Sequence, residues 1–206
     1  MKHIKIISLI LAVSVLFAFA ACGKNDKETD STTAEPTDAA VPTTEEKPIE
    51  MLAVYFPYDE TSEKTAKIAA EFSGARLFAL ETVNGYPKDE AERAKKAEEE
   101  AANNDRPALK DKLTSLYSCS VVFVCTPLWE GDLPMAFYTF FDEYDLRDRI
   151  IVPLCVSSSD ADAAKMKSLI TQRLTGSLAV DGMAVSPDSE PDKNAITAYI
   201  DKMLNG

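Results

Sequence analysis

SVVFVC at residues 120–125 and RIIVPLCV at residues 149–156 decide the fold. Each is an apolar run rich in β-favouring residues, without the apolar–polar alternation of a half-exposed strand. Runs of this kind are strands covered on both faces, as in a parallel sheet packed between helices. Pro153 is unusual in such a place, because it has no N–H to give to the ladder. Between the runs, residues 134–144 read as a helix. Pro134 stands in the first turn, where an N–H would have no partner anyway, and Phe137, Phe140, Phe141 and Tyr144 recur on one side.

Working outward, the same alternation continues in both directions. Residues 51–56 (MLAVYF) form a first strand. Thr61 or Ser62 can cap a helix that carries Ala66, Ile68, Ala69 and Phe72 inward and stops at Gly74. Residues 76–80 are a weaker strand, Gly85-Tyr86-Pro87 a turn, and residues 88–104 a charged, alanine-rich helix expected to lie exposed. On the other side follow a helix at 160–174, a short fifth strand at 178–185 and a closing helix at 191–204. Alternating strands and helices predict an α/β fold, a three-layer, doubly wound, five-stranded parallel sheet. Ligands of such sheets sit beyond the carboxyl ends of the strands, which singles out the loops at 57–62, 126–132 and 157–162.

The amino-terminal 49 residues have a different character. Lys2 and Lys5 precede an apolar run at 6–19, too short to span a bilayer and of the length of a secretory h-region. The site that follows, Phe19-Ala20-Ala21-Cys22-Gly23, resembles the lipobox of bacterial lipoproteins, with Phe19 where that pattern has leucine. The resemblance implies a signal peptide at 1–21, acylation of Cys22 and an extracytoplasmic protein anchored by lipid to a bacterial membrane. Residues 24–47 hold no aromatic and only Val41 as a sizeable aliphatic, so residues 22–49 read as a lipidated cysteine with a disordered tether. The folded domain is then residues 50–206. Loss of Lys2, His3 and Lys5 with the signal takes the formal net charge from −12 to −14. That balance argues against nucleic acid as a partner. It also leaves no histidine, which excludes histidine general bases, histidine triads and histidine-ligated metals.

The three loops resemble the flavodoxin family. The stretches that carry the likeness are YFPYDETSEKTAKIA after the first strand, CTPLWEGDLPMAFYTFFDEYDL after the third, and RIIVPLCVSSSD at the fourth. The most specific piece, residues 127–134 (PLWEGDLP), is similar to the family's P-x-W-x-G-x-L-P. The resemblance implies a flavodoxin-like sheet of order 2-1-3-4-5, FMN as cofactor and electron transfer, with a redox protein as partner. It places the flavin ring against Pro127, Leu128, Trp129 and Gly131, the phosphate at Thr61 and Ser62, and the flavin edge near Ser157 and Ser158. The flavin carries such chemistry, so no acid, base or nucleophile is required of the protein.

This chain departs from the family in its phosphate loop. Pro57 offers neither hydroxyl nor N–H, and Glu60 stands in place of a glycine. One carboxylate about 5 Å from one phosphate charge costs ~3 kcal/mol at an effective dielectric near 20. Asp59 and Glu60 together therefore oppose FMN unless both point to solvent. The alternative is a flavin-free binding module. Its acidic crevice would be made by Asp59, Glu60, Glu130, Asp132, Asp160 and Asp162, and would suit a hard cation or a protein partner. The sheet order also makes neighbours of the strands that carry Cys125 and Cys155, so a redox-active or structural cysteine pair is a third reading.

Overall fold

The computed structural model describes residues 50–114, 116 and 118–206. The signal peptide, Cys22 and the tether expected from the sequence lie outside the described residues. The elements are β1 (Glu50–Tyr55), α1 (Glu60–Ser73), β2 (Arg76–Ala79), α2 (Glu90–Asn103), β3 (Cys119–Thr126) and α3 (Met135–Glu143). They continue with β4 (Ile150–Val156), α4 (Asp160–Arg173), β5 (Leu178–Ala179), β6 (Met183–Val185) and α5 (Lys193–Asn205). The sheet is parallel in order β2-β1-β3-β4-β5, with β6 also paired to β4. This is the expected doubly wound α/β architecture.

Strand alternation divides the core into two layers. Leu52, Val54 and Phe56 of the β1 segment join Val122, Val124, Ile151 and the inner faces of α3 and α4. Ala53, Val121, Phe123, Val152 and Leu154 face the other way, onto Ala66 and Ala69 of α1 and Ile196 and Ile200 of α5. The same parity separates two cysteines. Thr126 pairs with Cys155, so Cys125, one residue earlier, points to the opposite face. Cys125 belongs to the α1/α5 layer and Cys155 to the α3/α4 layer. The cysteine-pair reading is thereby overturned: Cys119, Cys125 and Cys155 are all free and buried.

The fifth strand is divided in two, and Pro153 explains the division. Ile150 and Ile151 pair with Leu178 and Ala179, a register that would set Leu154 opposite Gly182. Leu154 instead faces Met183, so one extra residue has entered the fifth strand as a bulge. The amides of Leu178, Val180 and Ser157 bond to Arg149, Ile151 and Val185 respectively, so the odd-numbered backbone groups of β4 face the fifth strand. An N–H at position 153 would point there too. Proline removes that donor, and the interruption at residues 180–182 lies opposite the gap. Gly182 suits the bulge for a second reason. A Cβ there would lie 2.6 Å from the Ala163 carbonyl oxygen of α4.

Two helices differ from expectation. The cap of α1 is Asp59, not Thr61 or Ser62: its carboxylate accepts the Ser62 N–H at 2.6 Å. α2 is not wholly exposed, since Ala97 and Glu100 are buried beneath it. The remaining helices begin on or beside the expected residues, with Ser159 capping α4 and Asp192 capping α5.

Candidate functional site

The loop after β3 is built around a two-residue turn. Glu130 (φ 49°) and Gly131 (φ 77°) both adopt left-handed backbone. Trp129 and Asp132 flank them and exchange both backbone hydrogen bonds, each 2.8 Å long. Two consecutive positive φ values joined this way define a type I′ hairpin turn, for which Glu-Gly is the local requirement met by a glycine in second place. Asp132 then locks the turn to α3, its Oδ1 accepting the Leu133 N–H at 2.7 Å and the Tyr138 hydroxyl at 2.6 Å. Burial first, and the Asp132 carboxylate next, push the Tyr138 hydroxyl well above its ordinary pKa.

Trp129 rests on two other rings, which a third supports. It meets Phe56 edge-on at 4.6 Å between centroids and Tyr86 at 5.1 Å. Tyr58 lies 5.1 Å from Phe56 and 5.0 Å from Tyr86. Phe56 is fully buried at the end of β1, while Pro127, Leu128 and Trp129 stay half-buried. Each such edge-to-face pair stabilises by roughly 0.5–1.5 kcal/mol beyond its burial, so the indole has little freedom to tilt. A cleft of about 200 Å³ separates Leu128, Trp129 and Glu130 from Arg93 and Ala97 of α2. That is smaller than the roughly 300–1,000 Å³ of a site that encloses a whole small molecule.

Behind the rings lies a polar group of three that sequence reading did not find. The Tyr86 hydroxyl donates to Glu100 Oε2 at 2.7 Å, and Lys96 Nζ lies 3.9 Å from Glu100 Oε1 and 4.6 Å from the Tyr86 ring centre. Glu100 is 7% exposed. Burial raises its pKa, opposed by the Tyr86 hydrogen bond and by Lys96. Burial, then the Glu100 bond, also pushes the Tyr86 hydroxyl far up. Nothing local marks Glu100 among the acids of its helix. Only the docking of α2 shows which of them faces inward.

At the mouth of α1 the expected phosphate donors are placed unequally. Thr61 is half-buried, but Ser62 is fully buried, with its N–H held by Asp59 and its hydroxyl without a partner among the described residues. The Thr65 hydroxyl one turn further is in the same condition. Glu60 escapes to solvent and pairs with Lys64 at 2.9 Å. The same Lys64 also holds Glu190, at 2.6 Å, from the loop before α5. Asp59 does not escape: its carboxylate is seated on the first turn of the helix.

The third loop is likewise engaged with itself. The Ser157 hydroxyl donates to Asp162 at 2.6 Å and its oxygen accepts the Ser159 N–H, while Ser158 reaches Asp188 at 3.2 Å. The acids of the three loops therefore do not converge as the crevice reading expected. Asp59, Glu60, Asp132 and Asp162 each satisfy a separate local partner. Among the described residues no group of three acids, cysteines or histidines could hold a metal ion.

The ring end of the site, then, presents a fixed, half-buried indole beside a glycine turn at the carboxyl edge of β3. The phosphate end presents a carboxylate. The first suits the flat ring of a flavin; the second does not suit its phosphate. Fold and site together define a doubly wound α/β protein of the flavodoxin-like kind. The flavodoxin family model matches residues 50–203, and the chain belongs to that family. Its structure is similar to that of a provisionally named flavoprotein from Bacteroides eggerthii DSM 20697. The two share 21% identity over 74% of this chain and 96% of that one, with a TM-score of 0.64. A second provisionally named flavoprotein, from Bacteroides uniformis ATCC 8492, gives 20% identity over 75% and 99%, with a TM-score of 0.63. A flavoprotein in complex with FMN from Lactobacillus acidophilus NCFM gives 19% identity over 69% and 96%, with a TM-score of 0.57. No curated protein matches this chain.

Proposed function

We propose that this chain is an extracytoplasmic electron carrier that binds FMN and is tethered to a bacterial membrane through acylated Cys22. The observation that carries the flavin reading is the Trp129–Asp132 turn, standing on an aromatic base at the carboxyl edge of β3 in a flavodoxin-family chain. The complex of a structurally similar protein with FMN supports the choice of cofactor. Bound FMN would supply the one- and two-electron chemistry. The protein's residues supply the setting. Trp129, Leu128 and Pro127 offer an apolar wall that excludes water from one side of a flat ring. Gly131, without a side chain, lets backbone groups approach that ring. Glu130 and the acidic surface place negative charge nearby, which disfavours electron-rich anionic states and suits docking on a basic redox partner. Anchoring rests on the sequence alone, on the run at 6–19 and the Ala-Ala-Cys site.

Titrating the purified protein with FMN tests the flavin reading, with flavin fluorescence and the emission of Trp129, the sole tryptophan, followed together. Saturable quenching of both is expected. Trp129→Leu should retain the fold and weaken binding by at least tenfold. Flavin that binds without perturbing Trp129 emission would remove the ring from this loop. Palmitate labelling of the full chain in a bacterial host, abolished by Cys22→Ser, tests the anchor.

A further inference from the structure

Building on the flavin reading, we infer that Asp59 decides how the flavin is held: by its ring and not by its phosphate, so that riboflavin is bound at least as tightly as FMN. A helix N-terminus receives a phosphate because its first amides are unpaired and its dipole is positive. In this chain one of those amides is already bonded and the dipole already faces a carboxylate. The Asp59 carboxylate accepts the Ser62 N–H at 2.6 Å and sits on the dipole as an internal anion. Pro57 has no N–H to offer in exchange. The Ser62 hydroxyl, which could donate, is fully buried.

The surroundings add further negative charge. Glu60 begins the helix, and Glu190, from the loop before α5, reaches Lys64 one turn further on. Among the described residues the one cation shared by these acids is Lys64, bonded to both of them. A phosphate dianion arriving here would have to displace a bonded carboxylate and compete with two others for one ammonium group. The neutral ribityl hydroxyl of riboflavin meets no such opposition. The ring end, built by Trp129 and Gly131 on the other loop, is the same for both ligands.

The test compares riboflavin and FMN binding to the purified protein by fluorescence, for the wild type and for Asp59→Asn. Asparagine caps helices about as well as aspartate, so the variant keeps α1 intact while losing the charge. The wild type should bind riboflavin at least as tightly as FMN, and its FMN affinity should rise with added salt, which screens repulsion. Asp59→Asn should shift the preference toward FMN by at least tenfold. A wild type that binds FMN tenfold tighter than riboflavin, with affinity falling as salt is added, overturns the inference and leaves the flavin reading standing. A preference in Asp59→Asn within threefold of the wild type overturns it as well. Failure of both flavins to bind the wild type overturns the two readings together.

Discussion

Replacing Tyr86 by phenylalanine isolates a single bond at the base of the site. The ring survives, and with it the contacts to Phe56, Tyr58 and Trp129 at 5.0–5.6 Å. What disappears is the 2.7 Å hydrogen bond to Glu100, a carboxylate only 7% exposed and left with Lys96 at 3.9 Å. A hydrogen bond to a charged group stabilises by about 1.5–3 kcal/mol. At ~2–4 °C per kcal/mol for a domain of this size, Tm should fall by roughly 3–12 °C. The pH dependence carries a sign. Burial raises the Glu100 pKa, so the folded state holds that proton more tightly than the unfolded chain. Its contribution to stability is complete at acid pH and is lost as pH rises through the folded pKa. The Tyr86 hydroxyl opposes the shift, so its removal raises the Glu100 pKa further and steepens that loss. The penalty of Tyr86→Phe should be smallest near ~pH 4 and largest near ~pH 8. Thermal and urea unfolding followed by circular dichroism at both pH values measures it. Glu100→Gln, which still accepts from Tyr86, should cost little at the higher pH. A loss below about 0.5 kcal/mol, or an equal loss at both pH values, would refute the charged-bond account.

The cysteines and the bulge are open to equally direct tests. All three described thiols are buried; burial pushes the Cys155 thiol up to about 12 and raises Cys119 and Cys125 as well. In native protein at about pH 8 these three thiols should therefore react with a thiol reagent only at the rate of unfolding, and reductant should not reveal a disulfide among them by a change of mass. Gly182→Ala should destabilise by about 1–3 kcal/mol, because the new methyl meets a backbone carbonyl that cannot turn aside. A melting temperature within 1 °C of wild type would mean that the bulge relaxes freely.

Much of the fold could be read from local pattern. The runs at 120–125 and 149–156 have only one comfortable environment, a sheet interior, and the helices between them declare themselves by period and capping. Pro153 stood out as a missing donor in a central strand, although the fifth strand was read as one piece at 178–185. The sequence could not say which side the missing donor faced, because that depends on the parity of β4 against its neighbours. The cysteine pair failed for the same reason: adjacent strands bring residues together only when their registers share a face.

The candidate site shows the same boundary. Composition and spacing by themselves determined the class of fold, the three loops worth inspecting and the absence of histidine from residues 50–206, while the resemblance to the flavodoxin family singled out Trp129 and Gly131. The same resemblance identified Asp59 and Glu60 as out of place in a phosphate loop. Tertiary structure decided what each acid does. Glu60 turns outward because Lys64 lies one helical turn away, and Asp59 turns inward because the unpaired amides of α1 need an acceptor. The buried Glu100 and the rings beneath Trp129 were invisible beforehand, since Tyr86 meets Glu100 only when α2 docks and Phe56, Tyr86 and Trp129 come from three separate segments. Local periodicity determines which elements form; charge and hydrogen-bond satisfaction, settled only when those elements meet, determines what their side chains are left free to bind.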